Sequence, residues 1–322
     1  MQKILIIRFS SIGDIVLTSP VVRCLKLQQS AEIHYLTKKE YVSVLESSPY
    51  IDRIFTLTSP LKETLKKLKI QNYNLVIDLH NNWRSYWFKI NLNVQSVNLE
   101  KKTFYRLLFI YLGVNLLNNH IVDRYFHAVK KLNIMNDQQG LDYFIHQNTH
   151  VDFNITNKFI TWCIGASHDN KKLSKTQIIQ VCNTLSLPVV LLGGLAEKIV
   201  ANGIVTDSSN EHIYNFCGRL SLDQSAYLIQ KSILVLTHDT GLMHIASALK
   251  KPILSFWGCT KPSQGFKPYM ANDKSIELVA NAKFKPCSKY GKKCRLTNLG
   301  CLKTLDVKLI KKSIKQLLLA IN

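Results

Sequence analysis

The segment RFSSIGDIVLTSP, Arg8 to Pro20, carries an acid where a phosphate-binding turn would reject one. The apolar run KILII leads into Ser10, Ser11 and Gly13, the residues of a strand-to-helix junction, and Asp14 falls in the first helical turn. A carboxylate there can cap the helix or accept a proton from a hydroxyl nucleophile. A second junction, LVLTHDTGLMHIASALKKPILSFWG (234–258), places Asp239, Thr240, Gly241, Leu242 and His244 where a buried strand gives way to a helix. Free N–H groups and partial positive charge at such a helix start suit an anion, while Asp239 also reads as an ordinary N-cap and His244 as a packing residue. In CIGASHDNKKLSKTQ (163–177), small residues up to Ser167 precede Lys171, a pattern that suits a diphosphate or a solvated turn. In VVLLGGLAEKI (189–199), Glu197 follows a glycine pair, and can hold ribose hydroxyls or complement a helix dipole. Neither G-x-G-x-x-G nor G-x-x-x-x-G-K-[ST] occurs at these turns, which disfavours a nicotinamide enzyme and a P-loop ATPase.

Chemistry at strand ends needs a sheet behind it. The runs KILIIRF, EIHYL, RIFTL, NLVIDLH and VQSVNL read as strands, and YVSVLE, LKETLKKLKI and RSYWFKI between them have helical spacing. Two more helical stretches, TFYRLLFIYLGV and RYFHAVKKLNI, precede a polar stretch at 147–158 that reads as a linker. The alternation then restarts with FITWCIGA, PVVLLGG, HIYNFCG, ILVLTHD and PILSFWG as strands, and an amphipathic helix, LDVKLIKKSIKQLLLAI, closes the chain. Alternation of this kind means βαβ units and parallel sheets. The expected fold class is α/β, with two doubly wound, Rossmann-like domains, 1–150 and 151–322, facing a central cleft. The terminal helix is free to pack back on the first domain.

The stretches RFSSIGDIVLTSPVVRCLK, DLHNNWRS, GASHDNKKLS, GGLAEK and CGRLSLDQSAYLIQKSILVLTHDTGLMHIASALKKPILSFWG together resemble the ADP-heptose:lipopolysaccharide heptosyltransferases of glycosyltransferase family 9, enzymes of GT-B architecture. The motif D-T-G-x-x-H followed by A-x-A-L-x-x-P, behind an S-S-x-G-D in the same order, carries the likeness. It implies an inverting, metal-independent transfer of heptose from ADP-heptose to a lipid-linked core oligosaccharide. The first half would take the acceptor and the second the nucleotide sugar, with no resident cofactor or metal. Asp14 matches the catalytic base. Arg8, Ser10, Ser11, Gly13 and Arg84 match the acceptor side. Ser167, Lys171, Glu197, Asp239, Thr240, Gly241, Leu242 and His244 match the donor side. His238 and the stretch WGCTKPSQGFKPY depart from the commonest family wording, which leaves open another nucleotide sugar and another surface glycan.

The 322 residues are 46% apolar and carry a formal charge of +21. Length and composition support two cores, and the charge favours anionic partners. No nucleic-acid-binding motif accompanies the charge, so nucleic acid is not an expected partner, and a non-catalytic nucleotide or nucleic-acid binder is the competing class. Lys101, Lys102, Arg106 and the terminal lysines suit peripheral contact with the inner membrane. The sequence shows no secretory signal or spanning segment, so a cytoplasmic protein is expected. Of eight cysteines, Cys24, Cys163, Cys182, Cys217 and Cys259 are dispersed, as free buried thiols are. Cys287, Cys294 and Cys301 repeat as C-x₆-C-x₆-C, a spacing open to a metal site or a disulfide knot, but without the close pairs and local fourth ligand of a zinc site they read by default as free thiols in a lysine-rich loop.

Overall fold

The computed structural model describes residues 1–117, 119–153, 158–280, 286–295 and 300–321. Part of the expected linker (154–157) and part of the lysine-rich loop (296–299) lie outside them. Two compact units form. The first contains Met1–Lys102 and Asn119–His146, the second Thr103–Asn118 and Gln147–Asn322. The chain therefore does not divide by a single cut near residue 150.

In the first unit, β1 (Gln2–Ile7), β2 (Ala31–Lys38), β3 (Arg53–Leu57), β4 (Leu75–Asp78) and β5 (Ser96–Asn98) form a parallel sheet in the order β3-β2-β1-β4-β5. In the second, β6 (Ile160–Cys163), β7 (Val189–Leu192), β8 (Ile213–Asn215), β9 (Leu234–His238), β10 (Ile253–Trp257) and β11 (Ile276–Val279) form a parallel sheet in the order β11-β10-β9-β6-β7-β8. The central strands are continuous apolar runs because helices cover both faces: Ile4 to Ile7 and Val189 to Leu192 are fully buried. Each sheet reverses its strand order once, between β1 and β4 in the first unit and between β6 and β9 in the second. Beyond the carboxyl ends of the strands at such a reversal, neighbouring loops diverge and leave a crevice for a ligand.

The helix Thr103–Leu112 belongs to the second unit, where Arg106 lies buried over the Phe266 ring and Arg295 stacks on Tyr111, 4.6 Å from its centroid. Arg106 is thus a packing cation and is not displayed toward a headgroup layer. The terminal helix Val307–Ile321, which the sequence allows to fold back on the first half, places Ile310, Ile314 and Leu317 in the core of the second unit. No helix among the described residues is long and apolar enough to cross a membrane.

One buried cation ties distant parts of the first unit. Arg23, on the helix Ser19–Gln28, donates to both oxygens of Asp137, to Asp142 and to the Gly140 carbonyl. The hydrogen bonds from Arg23, with its charge, outweigh burial and hold the Asp137 carboxyl down at about 2. A carboxyl depressed in the native state stabilises the fold above its unfolded pKa and loses that contribution as pH falls through its folded pKa. Between about pH 4 and pH 2 the wild type should therefore lose on the order of 2 kcal/mol from this group alone. Urea denaturation of Asp137→Asn against wild type checks this: the variant starts less stable, and its stability falls less over that window.

Candidate active site

The turn after β1 builds one half of the site. Ser11 caps the short helix Ile12–Val16, and its backbone N–H and Oγ both donate to Asp14 Oδ2, at 3.3 and 3.0 Å. Arg8 Nη2 approaches the same oxygen at 2.9 Å. Every contact the described residues make with this carboxylate falls on Oδ2, which leaves Oδ1 open. Burial raises the proton affinity of Asp14, but the positive charge of Arg8 and the bonds from Ser11 outweigh it and hold the group below the usual carboxylate range. Asp14 is ionised at neutral pH and its side chain is 30% exposed, so it can accept a proton at Oδ1.

Arg8 is held in turn. Its Nε donates to the Ser10 carbonyl at 2.8 Å and its Nη1 to the Leu79 carbonyl at 2.7 Å. Leu79 directly follows β4, so the guanidinium spans the strand-order reversal and fixes the Asp14 carboxylate there. The guanidinium that the sequence assigns to the acceptor side pairs here with Asp14. Gly13 is buried in the short helix, and Arg84 stacks on exposed Trp83 at the start of the helix Trp83–Leu92. His80, which sequence reasoning did not single out, stacks on Phe9 with ring centroids 5.0 Å apart. Burial, then the nearby charges of Arg8 and Lys101, push its imidazole down to about 4, so it stands neutral beside the Arg8–Asp14 pair.

The second unit repeats the construction at its own reversal. Lys171, after β6, is buried and sets Nζ 2.5 Å from Asp239 Oδ2, just after β9. Thr260 donates to the same oxygen at 3.0 Å. Thr240 caps the helix Gly241–Ala248 through its hydroxyl, which accepts from the Leu242 N–H, and His244 is buried within that helix. Asp239 is not the N-cap; it is the counter-ion of a lysine at the mouth of the crevice. Glu197 accepts from the Gly194 N–H at 3.0 Å and pairs with Lys172 at 3.0 Å. A Cβ on Gly165 would come within 3.3 Å of the Glu197 carboxylate, so a side chain there would push that carboxylate by a few tenths of an ångström. Ser167 itself is exposed.

His238 has a structural explanation. Its Nε2 accepts from the Leu173 N–H at 3.0 Å, which leaves Nδ1 to carry the proton toward the Gly165 carbonyl, 3.3 Å away. Burial drives its pKa down to about 4, against the bond to Gly165. A neutral histidine thus clamps the 165–173 turn, and with it Lys171, onto the end of β9. Thr260 and His238 carry no motif of their own; the signal was that His238 and the stretch WGCTKPSQGFKPY, which holds Thr260, depart from the family wording.

Two crevices, one with an ionised carboxylate and one with a lysine paired to the aspartate that precedes a helix, are chemically able to accept a proton and to bind an anion respectively. The model of glycosyltransferase family 9 (heptosyltransferase) matches residues 61–298. Lipopolysaccharide heptosyltransferase 1 of Campylobacter coli is 25% identical over 297 residues, 80% of this chain and 84% of the relative. The solved structure of a glycosyl transferase family 9 protein from Veillonella parvula superposes with a TM-score of 0.82 at 19% identity, over 99% of this chain and 98% of the other. That of Escherichia coli ADP-heptose LPS heptosyltransferase II superposes at 0.77 with 21% identity, over 99% of both chains.

Proposed function

Because the chain belongs to glycosyltransferase family 9 (heptosyltransferase), with the GT-B fold, we propose that it moves heptose from ADP-heptose to the core of a lipid-linked lipopolysaccharide, inverting the anomeric centre and using no metal ion in the reaction. The observation that carries this reading is the pair of strand-order reversals, one holding an ionised Asp14 with an open oxygen, the other Lys171 beside the helix that begins at Gly241. The family match begins at residue 61, so the role of Asp14 rests on its geometry and on the N-terminal motif.

In this mechanism an acceptor hydroxyl attacks the anomeric carbon from the face opposite the departing ADP. The new glycosidic bond forms as the bond to the diphosphate breaks, and the hydroxyl proton passes to Asp14 Oδ1. Arg8 and Ser11 act by fixing Oδ2, so that the carboxylate meets the acceptor in one orientation. The ADP oxygen gains charge as it leaves. Lys171 has three N–H donors and gives one to Asp239, and we assign the other two, with the N–H groups at the start of the helix Gly241–Ala248, to the phosphate oxygens. Charge neutralisation by an ammonium and amides is what a divalent cation would otherwise supply, which motivates the metal-independent step. Ser167 and Glu197 are assigned to the sugar and ribose side of the donor, and Arg84 to the acceptor.

The exposed Phe104, Tyr111 and Leu112 on the helix that follows Lys101 and Lys102 support peripheral contact with the cytoplasmic face of the inner membrane. The test of the whole reading is a panel of nucleotide sugars scored by thermal shift, followed by transfer to a purified core acceptor. ADP-heptose should raise the melting temperature most, since only a ligand of the native state stabilises it. Turnover should be the same in EDTA as with Mg²⁺. A larger shift with another nucleotide sugar would change the donor, and a rate restored by Mg²⁺ would overturn the metal-free step.

A further inference from the structure

The three cysteines of the C-x₆-C-x₆-C repeat are not loose thiols in a loop. Cys287, Cys294 and Cys301 meet Cys259, far upstream at the end of β10, and all four sulfurs lie within 4.8 Å of one another. The individual Sγ–Sγ separations are 3.3 Å for Cys294–Cys301, 3.5 Å for Cys259–Cys301, 3.6 Å for Cys287–Cys301 and 4.0 Å for Cys287–Cys294. A tetrahedral ion with metal–sulfur bonds of about 2.3 Å requires sulfurs about 3.8 Å apart. A disulfide requires about 2.05 Å, which none of these pairs approaches. The spacing is that of a ligand cage. Fold closure supplied the fourth ligand that the local sequence lacked.

We propose that Cys259, Cys287, Cys294 and Cys301 bind one soft divalent metal ion, zinc or iron, as a structural tetrathiolate centre of the second unit. Three of the sulfurs are buried and the fourth is partly so, which fits a closed structural site rather than an open catalytic one. On binding, four thiols release four protons and the centre carries two net negative charges. Lys261, two residues after Cys259, is buried, and its ammonium has no hydrogen-bond partner among the described residues; it is a cation already in place to offset that charge.

The segments that the ion would join also brace the donor side. Cys259 is followed by Thr260, which donates to Asp239. Gly291, between Cys287 and Cys294, lies so close to Lys171 that a Cβ there would come within 2.9 Å of its side chain, and at φ +74° the position favours glycine in any case. The Asn170 side chain donates to the Lys292 carbonyl at 2.9 Å, and that of Gln177 to the carbonyls of Leu302 and Leu305. The proposed centre positions Lys171 and Asp239 and takes no part in the transfer. This last consequence rests on the donor assignment above; the presence of the ion does not.

The test is elemental analysis of the full chain purified under reducing conditions, with zinc and iron both supplied during expression. About one zinc or iron per chain is expected. Cys287→Ser and Cys294→Ser should each lose at least about fivefold in bound metal, while Cys24→Ser, at a buried thiol remote in sequence, should keep it. Should the variants not fold, the wild type alone decides. Titration with a mercurial reagent should release one metal per four thiols modified, and Co²⁺ exchange should give the sulfur-to-metal charge-transfer absorption of a tetrahedral tetrathiolate. Absence of stoichiometric metal from the wild type, or metal retained at full stoichiometry in both variants, overturns the proposal. If metal is bound but its removal leaves the affinity for ADP unchanged, the centre stands and its positioning role falls.

Discussion

Asp14→Asn lowers kcat by about 10²–10⁴-fold and leaves the affinity for ADP within about twofold of wild type. The magnitude is that of a positioned general base. The asparagine keeps the shape, and its amide oxygen can still accept from Ser11 and Arg8, so the turn after β1 should hold its form. What is lost is an oxygen able to take a proton as the acceptor hydroxyl becomes a glycosidic oxygen. Unchanged donor binding is the discriminating half of the result, because Asp14 belongs to the first unit and the donor is assigned to the second. Steady-state kinetics with calorimetric titration of ADP settle it; an undiminished kcat in a folded variant removes Asp14 as the base. Because Arg8 and Ser11 hold the wild-type carboxyl below the ordinary range, the acid limb of the kcat/KM profile attributable to this group should be displaced to lower pH than an unperturbed aspartate would give.

Lys171→Ala weakens ADP binding by about 10–100-fold, the equivalent of one charge-assisted hydrogen bond to phosphate. It also leaves the largely buried Asp239 with Thr260 as its remaining hydrogen-bond donor among the described residues, so the single variant should melt lower than wild type. The double variant Lys171→Ala/Asp239→Asn separates the two effects. Removing the orphaned charge should recover much of the melting temperature and none of the affinity. If ADP binds the folded single variant as tightly as wild type, Lys171 is a structural partner of Asp239 and the donor diphosphate lies elsewhere.

The sheets were legible in the sequence because buried parallel strands are largely apolar runs, and those read in the second half each run into a glycine or an aspartate. The strand missed, Ile276–Val279, is a short edge strand alternating between half-buried and exposed, so no apolar run announces it. The helix Thr103–Leu112 was legible as a helix but not as a member of the second unit, since periodicity tells which face is apolar and not which core receives it. At the site, the motifs drew out Asp14, Lys171 and Asp239 singly. Their partners were hidden, because Arg8 reaching Leu79, Thr260 reaching Asp239 and His238 clamping Leu173 are products of strand order. The cysteines show the same limit in its sharpest form: a rule about close spacing finds three of them and misses Cys259.

The excursion of residues 103–118 into the second unit bears on how this molecule could be dismantled or recombined. A gene cut at 146/147 would yield a front fragment carrying an orphaned greasy helix and a back fragment missing the partner of Arg295 and Phe266. Chimeras that trade donor specificity between homologues would have to transplant two discontinuous pieces together, and single-junction fusions should aggregate where two-piece grafts remain monodisperse.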